Sequence, residues 1–85
     1  VIIKSDVFRA VKKLPQQYFD IIFLDPPYQK NLLNRAIISI LDLLTKSGII
    51  VVEHHKREAM IVPSGYYLFK EKRYGDSLVG FLKRL

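Results

Sequence analysis

The sequence predicts an α/β fold in which parallel strands carry covering helices and an antiparallel hairpin ends the chain. Continuous apolar runs alternate with segments whose apolar residues recur at helical spacing, which is typical of a parallel sheet. Near the carboxyl end, Gly75-Asp76 separates two strand-like runs, Tyr66–Tyr74 and Ser77–Leu85, as in a β-hairpin. No linker, repeat or low-complexity segment divides the sequence, so residues 1–85 are predicted to form a single unit.

The first part of the chain predicts a strand, a helix and a second strand. Val1–Lys4 reads as a short buried strand, and Ser5 and Asp6 are candidate caps for the helix that follows. Pro15 is expected to end that helix. Asp20–Leu24 is apolar after its first residue, which predicts a strand covered on both faces.

A longer helix and a third strand come next. Asn31 is a candidate N-cap, and Gly48 is expected to close the helix at its carboxyl end. Apolar residues between them form one stripe at helical spacing: Leu33, Ala36, Ile37, Ile40, Leu41 and Leu44. Ile49–Val52 then reads as a buried strand, and Glu53–Glu58 as a polar loop.

Composition limits the classes of protein to consider. With 49% hydrophobic and 26% charged residues, the sequence fits a globular domain and not a disordered segment. No apolar run approaches the roughly 20 residues of a membrane span, so we expect no membrane partner. We expect a cytoplasmic location, with which the absence of cysteine is compatible. Cysteine is absent, which excludes disulfides and thiolate metal sites. The net charge of +6 favours an anionic partner such as nucleic acid, although it also fits an ordinary solvated surface.

A rigid loop rich in hydrogen-bond acceptors is predicted where the run FDIIFL ends. Pro26 and Pro27 terminate the strand, fix φ at two successive positions and remove two backbone N–H donors. The Asp25 carboxylate and free backbone carbonyls remain as acceptors, and Tyr28 adds a flat ring on which a planar group can stack. Because ligands of open α/β sheets bind at the carboxyl ends of the strands, this loop suits a planar ligand that carries an NH2 group.

The Asp-Pro-Pro-Tyr sequence resembles the active-site motif of S-adenosylmethionine-dependent amino methyltransferases, which act on exocyclic nitrogens of adenine or guanine. The wider pattern is FDIIFLDPPY, a helix, GIIVVEHHKRE and a hairpin around KEKRYGDS. This pattern resembles the carboxyl-terminal half of the bacterial 16S rRNA guanine-N2 methyltransferase family. The resemblance implies a Rossmann-like methyltransferase fold, S-adenosylmethionine as cofactor, and 16S ribosomal RNA or the small ribosomal subunit as partner.

The resemblance also implies roles for individual residues. Asp25 and the carbonyl of Pro26 would accept hydrogen bonds from the guanine amino group, within the catalytic motif that Pro27 and Tyr28 complete. Tyr28 would stack on the flipped base. Asp6 and Asp25 would contact the cofactor, Asp6 at its adenine ring. The RNA backbone would meet five cations: Lys56, Arg57, Lys70, Lys72 and Arg73.

The same residues have plainer interpretations. Asp25–Tyr28 also fits a proline-stiffened turn, and Asp6 also fits a helix N-cap, a role that can coexist with cofactor contact. Glu53 ends a strand on the same side as Asp25, where it either lines the pocket or, as we favour, satisfies local backbone donors. The histidines His54 and His55 do not predict a metal site, because neighbours on an extended segment point in opposite directions and no third ligand is suitably spaced.

The glycine-rich cofactor loop of the family is not found in this sequence. All four glycines lie in the second half, whereas the family has its glycine loop after the first strand. The resemblance aligns Val1–Lys4 with the third strand, so the segment is expected to lack the first two strands and to be inactive alone. Val1–Lys4 would then have no neighbour in its usual place, and the exposed flank of Asp20–Leu24 would be an unprotected edge. We therefore expect the isolated chain to pair abnormally or dimerise, or to be only part of the native molecule.

The sequence thus favours methyl transfer from S-adenosylmethionine to the exocyclic N2 amino group of a guanine in 16S ribosomal RNA. One alternative is a DNA adenine-N6 methyltransferase, because adenine also presents an exocyclic NH2. Another is a non-catalytic α/β module that binds RNA, which the missing glycine loop favours for the chain as it stands.

Overall fold

A computed structural model of the chain describes residues 1–3, 7–28 and 32–85. These residues form one mixed sheet, with strand order β1-β2-β3-β5-β4, and two helices. The elements are β1 (Ile2–Ile3), α1 (Val7–Val11), β2 (Phe19–Leu24), α2 (Leu32–Ile40), a 3-10 turn (Leu41–Leu43), β3 (Leu44–His55), β4 (Tyr66–Tyr74) and β5 (Ser77–Arg84). Strands β1, β2 and β3 run parallel to one another, and β5 runs antiparallel to both of its neighbours, β3 and β4. The predicted α/β fold with a terminal hairpin is confirmed.

The hydrophobic core lies between the sheet and the helices. Helix α2 places its apolar stripe on alternate, fully buried residues of the strands, because residues three and four apart share one helix face. The buried strand residues are Ile22, Leu24, Ile50, Val52 and Leu82, and the buried residues of α2 are Leu33, Ala36, Ile37 and Ile40. None of the helices in the described ranges combines the length and the apolar character that a membrane span requires.

The opposite side of the sheet is not covered by either helix. Strand side chains alternate between the two faces, so the neighbours of the buried residues point away from the core. We call this side the open face; its apolar residues on β2, β3 and β5 are Ile21, Phe23, Ile49, Val51, Val79 and Phe81. Ile21 is 58% exposed, whereas the adjacent Ile22 is 0% exposed. The prediction that Asp20–Leu24 is covered on both faces is therefore wrong for the described residues.

Strand β1 lies directly beside β2. Ile2 pairs with Phe23 and Ile3 with Leu24 in parallel register. The Phe23 N–H donates to the Val1 carbonyl at 2.8 Å, and the Asp25 N–H donates to the Ile3 carbonyl at 2.9 Å. The expectation that this flank of β2 is an unprotected edge is wrong, because β1 satisfies backbone groups that β2 would otherwise leave unpaired.

The helix ends differ from those predicted. Helix α1 ends at Val11, and two short turns lead from it toward Pro15, with the Lys13 N–H donating to the Ala10 carbonyl at 3.0 Å. Helix α2 ends at Ile40 and passes through one 3-10 turn directly into β3. The predicted caps Ser5, Asp6 and Asn31 lie outside the described residues.

Gly48 lies within β3, so the prediction that it closes α2 is wrong. The pairing between β2 and β3 shifts between Phe19 opposite Leu44 and Ile21 opposite Ile49, so β3 bulges over the residues in between. A Cβ atom at Gly48 would lie 2.7 Å from the Leu44 Cγ and 3.0 Å from the Asp20 carbonyl oxygen. A glycine is therefore required here because the Leu44 side chain and the Asp20 carbonyl lie too close for a Cβ atom, and not because the residue caps a helix.

Substituting Gly48→Ala is expected to destabilise the fold by about 1–3 kcal/mol, because the methyl group overpacks this bulge. The loss should exceed the few tenths to 1 kcal/mol that alanine gains by restricting the unfolded chain. Urea unfolding measures the difference, with the exposed neighbour Ser47→Ala as the control that should change little. An unchanged midpoint for Gly48→Ala would contradict the tight packing around this residue.

The terminal hairpin forms where the sequence predicts it. Tyr74 pairs with Ser77 across the two-residue turn. Gly75 has φ of +59°, while Asp76 has no positive φ, as a type II′ turn requires. The register shifts between Leu68 and Lys70, which makes a bulge in β4. This turn lies at the same edge of the sheet as the carboxyl ends of β2 and β3.

Candidate active site

The Asp-Pro-Pro-Tyr loop lies at the carboxyl end of β2, where the sequence predicts a binding site. The strand ends at Leu24, since proline cannot continue the ladder. Asp25 is half-buried and Pro26 is buried, whereas Pro27 and Tyr28 are exposed. The hydrogen bond from the Asp25 N–H to the neighbouring β1 fixes the start of the loop. All four predicted catalytic residues therefore lie at one edge of the sheet. The buried Pro26 and the hydrogen bond of the Asp25 N–H attach the loop to the rest of the protein.

Two carboxylates lie side by side at this edge. Leu24 and Val52 are the last paired residues of β2 and β3, so Asp25 and Glu53 follow them at the same level of the parallel strands. Strand alternation places both side chains on the side of the open face. Among the described residues, no cation pairs with Asp25 and no backbone donor reaches Glu53. Within this part of the chain no hydrogen bond supports the favoured interpretation that Glu53 satisfies local backbone donors, and the strand register places Glu53 beside Asp25.

Tyr28 stacks on His55, a contact that sequence analysis missed. Their ring centroids are 4.8 Å apart and their planes are inclined by only 5°. His55 is the last residue of β3, and the backbone N–H of Arg57 donates to its Nδ1 at 3.1 Å. The signal in the sequence is that both rings follow adjacent apolar runs, whose strand ends meet at one edge of the sheet.

His54 points in the opposite direction, into the core side of the sheet. It is 5% exposed, and its Nδ1 lies 3.0 Å from the His55 carbonyl oxygen. Its Nε2 has no hydrogen-bond partner in the described part of the chain. Across the same ranges, no three histidine, aspartate or glutamate side chains lie close enough together to hold a metal ion. The two histidines thus have different surroundings and do not form a pair.

The hairpin turn supports the end of β3. His55 pairs with Ser77, and the Lys56 N–H donates to the Asp76 carbonyl at 2.7 Å. The Lys56 Nζ also lies 3.0 Å from the Asp76 Oδ1. The VVEH and YGDS segments, which are far apart in the sequence, are therefore in contact beside the Asp-Pro-Pro-Tyr loop.

The structure divides the five predicted RNA-binding cations into two groups. Lys56, Arg57 and Arg73 lie at the edge that carries the loop, where the Arg73 Nε donates to the carbonyl of the hairpin glycine at 2.9 Å. Lys70 and Lys72 lie further along β4, on the side of the open face, and the Lys70 Nζ is 5.6 Å from the centre of the Phe81 ring. The predicted cofactor contact Asp6 lies outside the described residues.

Similar proteins are found for nearly the whole chain. A family model described as Conserved hypothetical protein 95 matches residues 1–83. Ribosomal RNA small subunit methyltransferase D of Buchnera aphidicola subsp. Acyrthosiphon pisum is 34% identical over 74 residues, which are 84% of this chain and 38% of the relative. The protein of the same name from Haemophilus influenzae is 39% identical over 62 residues, which are 71% of this chain and 32% of the relative.

Solved structures agree with these relatives. A Haemophilus influenzae protein assigned as a methylase superposes with a TM-score of 0.77 at 32% identity, over 93% of this chain and 51% of that one. An Escherichia coli protein assigned as a methyltransferase gives 0.70 at 29% identity, over 88% and 45%. The chain thus spans about half the length of these structures and less of the curated relatives. The match over residues 1–83, together with these relatives, shows that the chain belongs to the Conserved hypothetical protein 95 family and that this family is one of methyltransferases.

Proposed function

We propose that this chain supplies the base-binding half of an enzyme that methylates the exocyclic N2 amino group of a guanine in 16S ribosomal RNA. The observation that carries the proposal is the Asp25–Tyr28 loop. It presents a carboxylate, a backbone carbonyl and a stacking ring at the carboxyl end of one strand. The methyltransferase relatives supply the class of reaction, and two of them carry ribosomal RNA in their names.

Asp25 and the Pro26 carbonyl have the chemistry to hold an amino group. The Pro26 carbonyl can only accept hydrogen bonds, and so can the Asp25 carboxylate when it is ionised. A guanine amino group presents two hydrogens to these acceptors. Accepting these hydrogens orients the nitrogen lone pair away from the loop, toward the methyl donor. The protein contributes mainly orientation and electrostatic stabilisation, which are the terms that such a transfer requires.

Tyr28 has the chemistry to hold the plane of the base. Tyr28 is 59% exposed although one face of its ring is stacked on His55, so the other face of the ring is open to a ligand. A base in ribosomal RNA must leave its neighbours to be reached, and stacking on an aromatic ring compensates part of that cost. Lys56, Arg57 and Arg73 lie at the same edge and would contact the RNA backbone, and Lys70 and Lys72 would extend this contact along β4.

S-adenosylmethionine is the proposed cofactor, and when bound it supplies a methyl group that is activated by a positively charged sulfur. The chain fits the base better than it fits this cofactor, since none of its four glycines lies in the segments directly after β1 and β2, where a glycine-rich cofactor loop could form. Asp25 is the one described residue that we propose to border both ligands, and Asp6 is proposed to contact the adenine ring. The rest of the S-adenosylmethionine-binding site would then come from residues that the relatives possess in addition to the matched part. We propose that the complete enzyme acts in the cytoplasm.

Two alternatives remain distinct from this proposal. Adenine also presents an exocyclic NH2, so the same loop could serve a DNA adenine-N6 methyltransferase. The net charge of +6 also fits a third candidate, a basic α/β module that binds RNA without catalysis.

Product analysis separates the three functions. The complete enzyme is incubated with labelled S-adenosylmethionine and, separately, with protein-free 16S ribosomal RNA, assembled small subunits and DNA. Digestion to nucleosides and mass spectrometry should yield N2-methylguanosine from one of the two RNA substrates. N6-methyladenine from DNA would establish the first alternative, and RNA binding without methyl transfer to any substrate would establish the second.

A further inference from the structure

We infer that His55 is a positioning residue for the proposed methyl transfer. Its imidazole covers one face of Tyr28, so a target base can stack only on the other face. This inference rests on the proposed function, because it assigns a support to the ring that would hold the base. Neither the family match nor the names of the relatives assigns a role to this histidine.

The two rings are arranged for stacking. A centroid separation of 4.8 Å with an interplanar angle of 5° lies in the range of offset-stacked aromatic pairs. Tyr28 is still 59% exposed, which leaves the face away from His55 open. A base on that face would complete a stack of three planes: imidazole, phenol and base.

His55 is the fixed member of this pair. Its Nδ1 accepts from the Arg57 N–H at 3.1 Å, and its carbonyl accepts from the Glu58 N–H at 2.9 Å. Its own N–H lies 3.2 Å from the Glu58 Oε1, and the next residue, Lys56, is bound to the hairpin turn. The Tyr28 hydroxyl, in contrast, has no hydrogen bond within the described ranges. The orientation of the tyrosine ring is therefore set mainly by the imidazole beneath it.

Removing the imidazole should disturb the reaction by displacing the base. Without His55, both faces of Tyr28 would be open, and the base could stack on either face or at a different height above Asp25. Because a misplacement of about 1 Å can cost ~10²-fold in rate, we expect kcat to fall by about 10- to 100-fold with little change in KM.

Three substitutions distinguish stacking from hydrogen bonding. His55→Phe retains a flat ring but loses the Nδ1 acceptor, whereas His55→Asn retains an acceptor for the Arg57 N–H but loses the ring. His55→Ala removes both. If His55 supports Tyr28, the Phe variant should have nearly normal kcat in the complete enzyme, and the Asn variant should be as slow as the Ala variant. If His55 only closes its own turn, Asn will rescue kcat and Phe will not, which overturns the inference.

A double substitution tests whether the effect passes through Tyr28. In the Tyr28→Ala background, His55→Ala should cause no further loss, because interacting residues are not additive. Fully additive losses would overturn the inference.

A measurement that needs no turnover separates this inference from the proposed function. NMR spectra of the chain should show Tyr28 ring protons shifted by the ring current of His55, and His55→Ala should abolish the shift. Single-stranded RNA hexamers with one guanine, compared with all-uridine hexamers, then report binding at Tyr28. If the shift is present, and His55→Ala and His55→Asn weaken hexamer binding while His55→Phe does not, the inference stands even when no N2-methylguanosine is formed. If Tyr28 shows no shift, the inference fails whatever the reaction is.

Discussion

Replacing Asp25 with asparagine in the complete enzyme is expected to lower kcat by about 10²–10³-fold, the usual cost of losing one preorganised group that acts in the transition state. Asparagine can present an NH2 donor where the guanine amino group requires an acceptor, so the amino hydrogens lose a partner and the nitrogen loses its orientation. Affinity for RNA should change little, because the backbone cations are intact. Single-turnover methyl transfer and filter binding measure the two quantities separately.

Asp20→Asn is the matched control for this substitution. Asp20 lies on the same strand at its other end, and the change in charge is identical. Its Oδ1 accepts a hydrogen bond from the Thr45 hydroxyl at 2.8 Å, which an amide oxygen can also accept. This variant should retain normal kcat. Equal losses for the two variants would show that charge alone matters, and unaltered turnover in Asp25→Asn would remove Asp25 from the catalytic group.

Ile22→Ala is expected to destabilise the chain by about 2–5 kcal/mol, which is the cost of a cavity at a fully buried isoleucine. Ile22 is 0% exposed and lies between the sheet and the helices. A small domain has only about 5–15 kcal/mol of stability in total, so this single change should move the unfolding midpoint severely or abolish folding. Urea unfolding followed by circular dichroism measures the change.

Ile21→Ala makes the same substitution one residue earlier on the same strand. Ile21 is 58% exposed on the open face, so its truncation should cost far less, near the ±0.5 kcal/mol typical of surface sites. The difference between the two variants measures how one-sided the core is. Similar costs for both would indicate that the open face is covered in solution, for example by a second copy of the chain.

Local patterns predicted the hairpin and the core face of α2. A turn of two residues that begins with Gly75 places Tyr74 opposite Ser77 and leaves little freedom of register. The stripe from Leu33 to Ile40 depends only on helical periodicity, and all of its predicted positions in α2 are buried. Both features are decided by residues close to each other in the sequence, which is why they could be predicted without tertiary information.

Long-range packing decided the features that were predicted wrongly. Gly48 is typical of a helix end, but close contact with Leu44 and the Asp20 carbonyl places it inside β3. The apolar run of β2 is typical of a strand covered on both faces, yet both helices lie on one side. The pairing of β1 with β2 depends on which strands are available as neighbours, and residue composition does not encode that choice.

The candidate site was predicted in its residues but not in its contacts. The chemistry of Asp25–Tyr28 follows from the types of residue and from the end of an apolar run. The stack of Tyr28 on His55 depends on the register between β2 and β3, which includes a bulge that sequence spacing does not reveal. The same register brings Glu53 beside Asp25 and the hairpin turn against Lys56.

The open face also affects the calorimetry of the chain. The heat capacity of unfolding rises with the apolar area that becomes newly hydrated, and area that is already wet in the folded state adds nothing. A fully covered domain of 85 residues would have an increment of about 1.0–1.3 kcal/mol/K. With one side of its sheet partly hydrated, this chain should fall below that range. Its stability curve is then flatter, so its stability depends less steeply on temperature on both sides of the maximum.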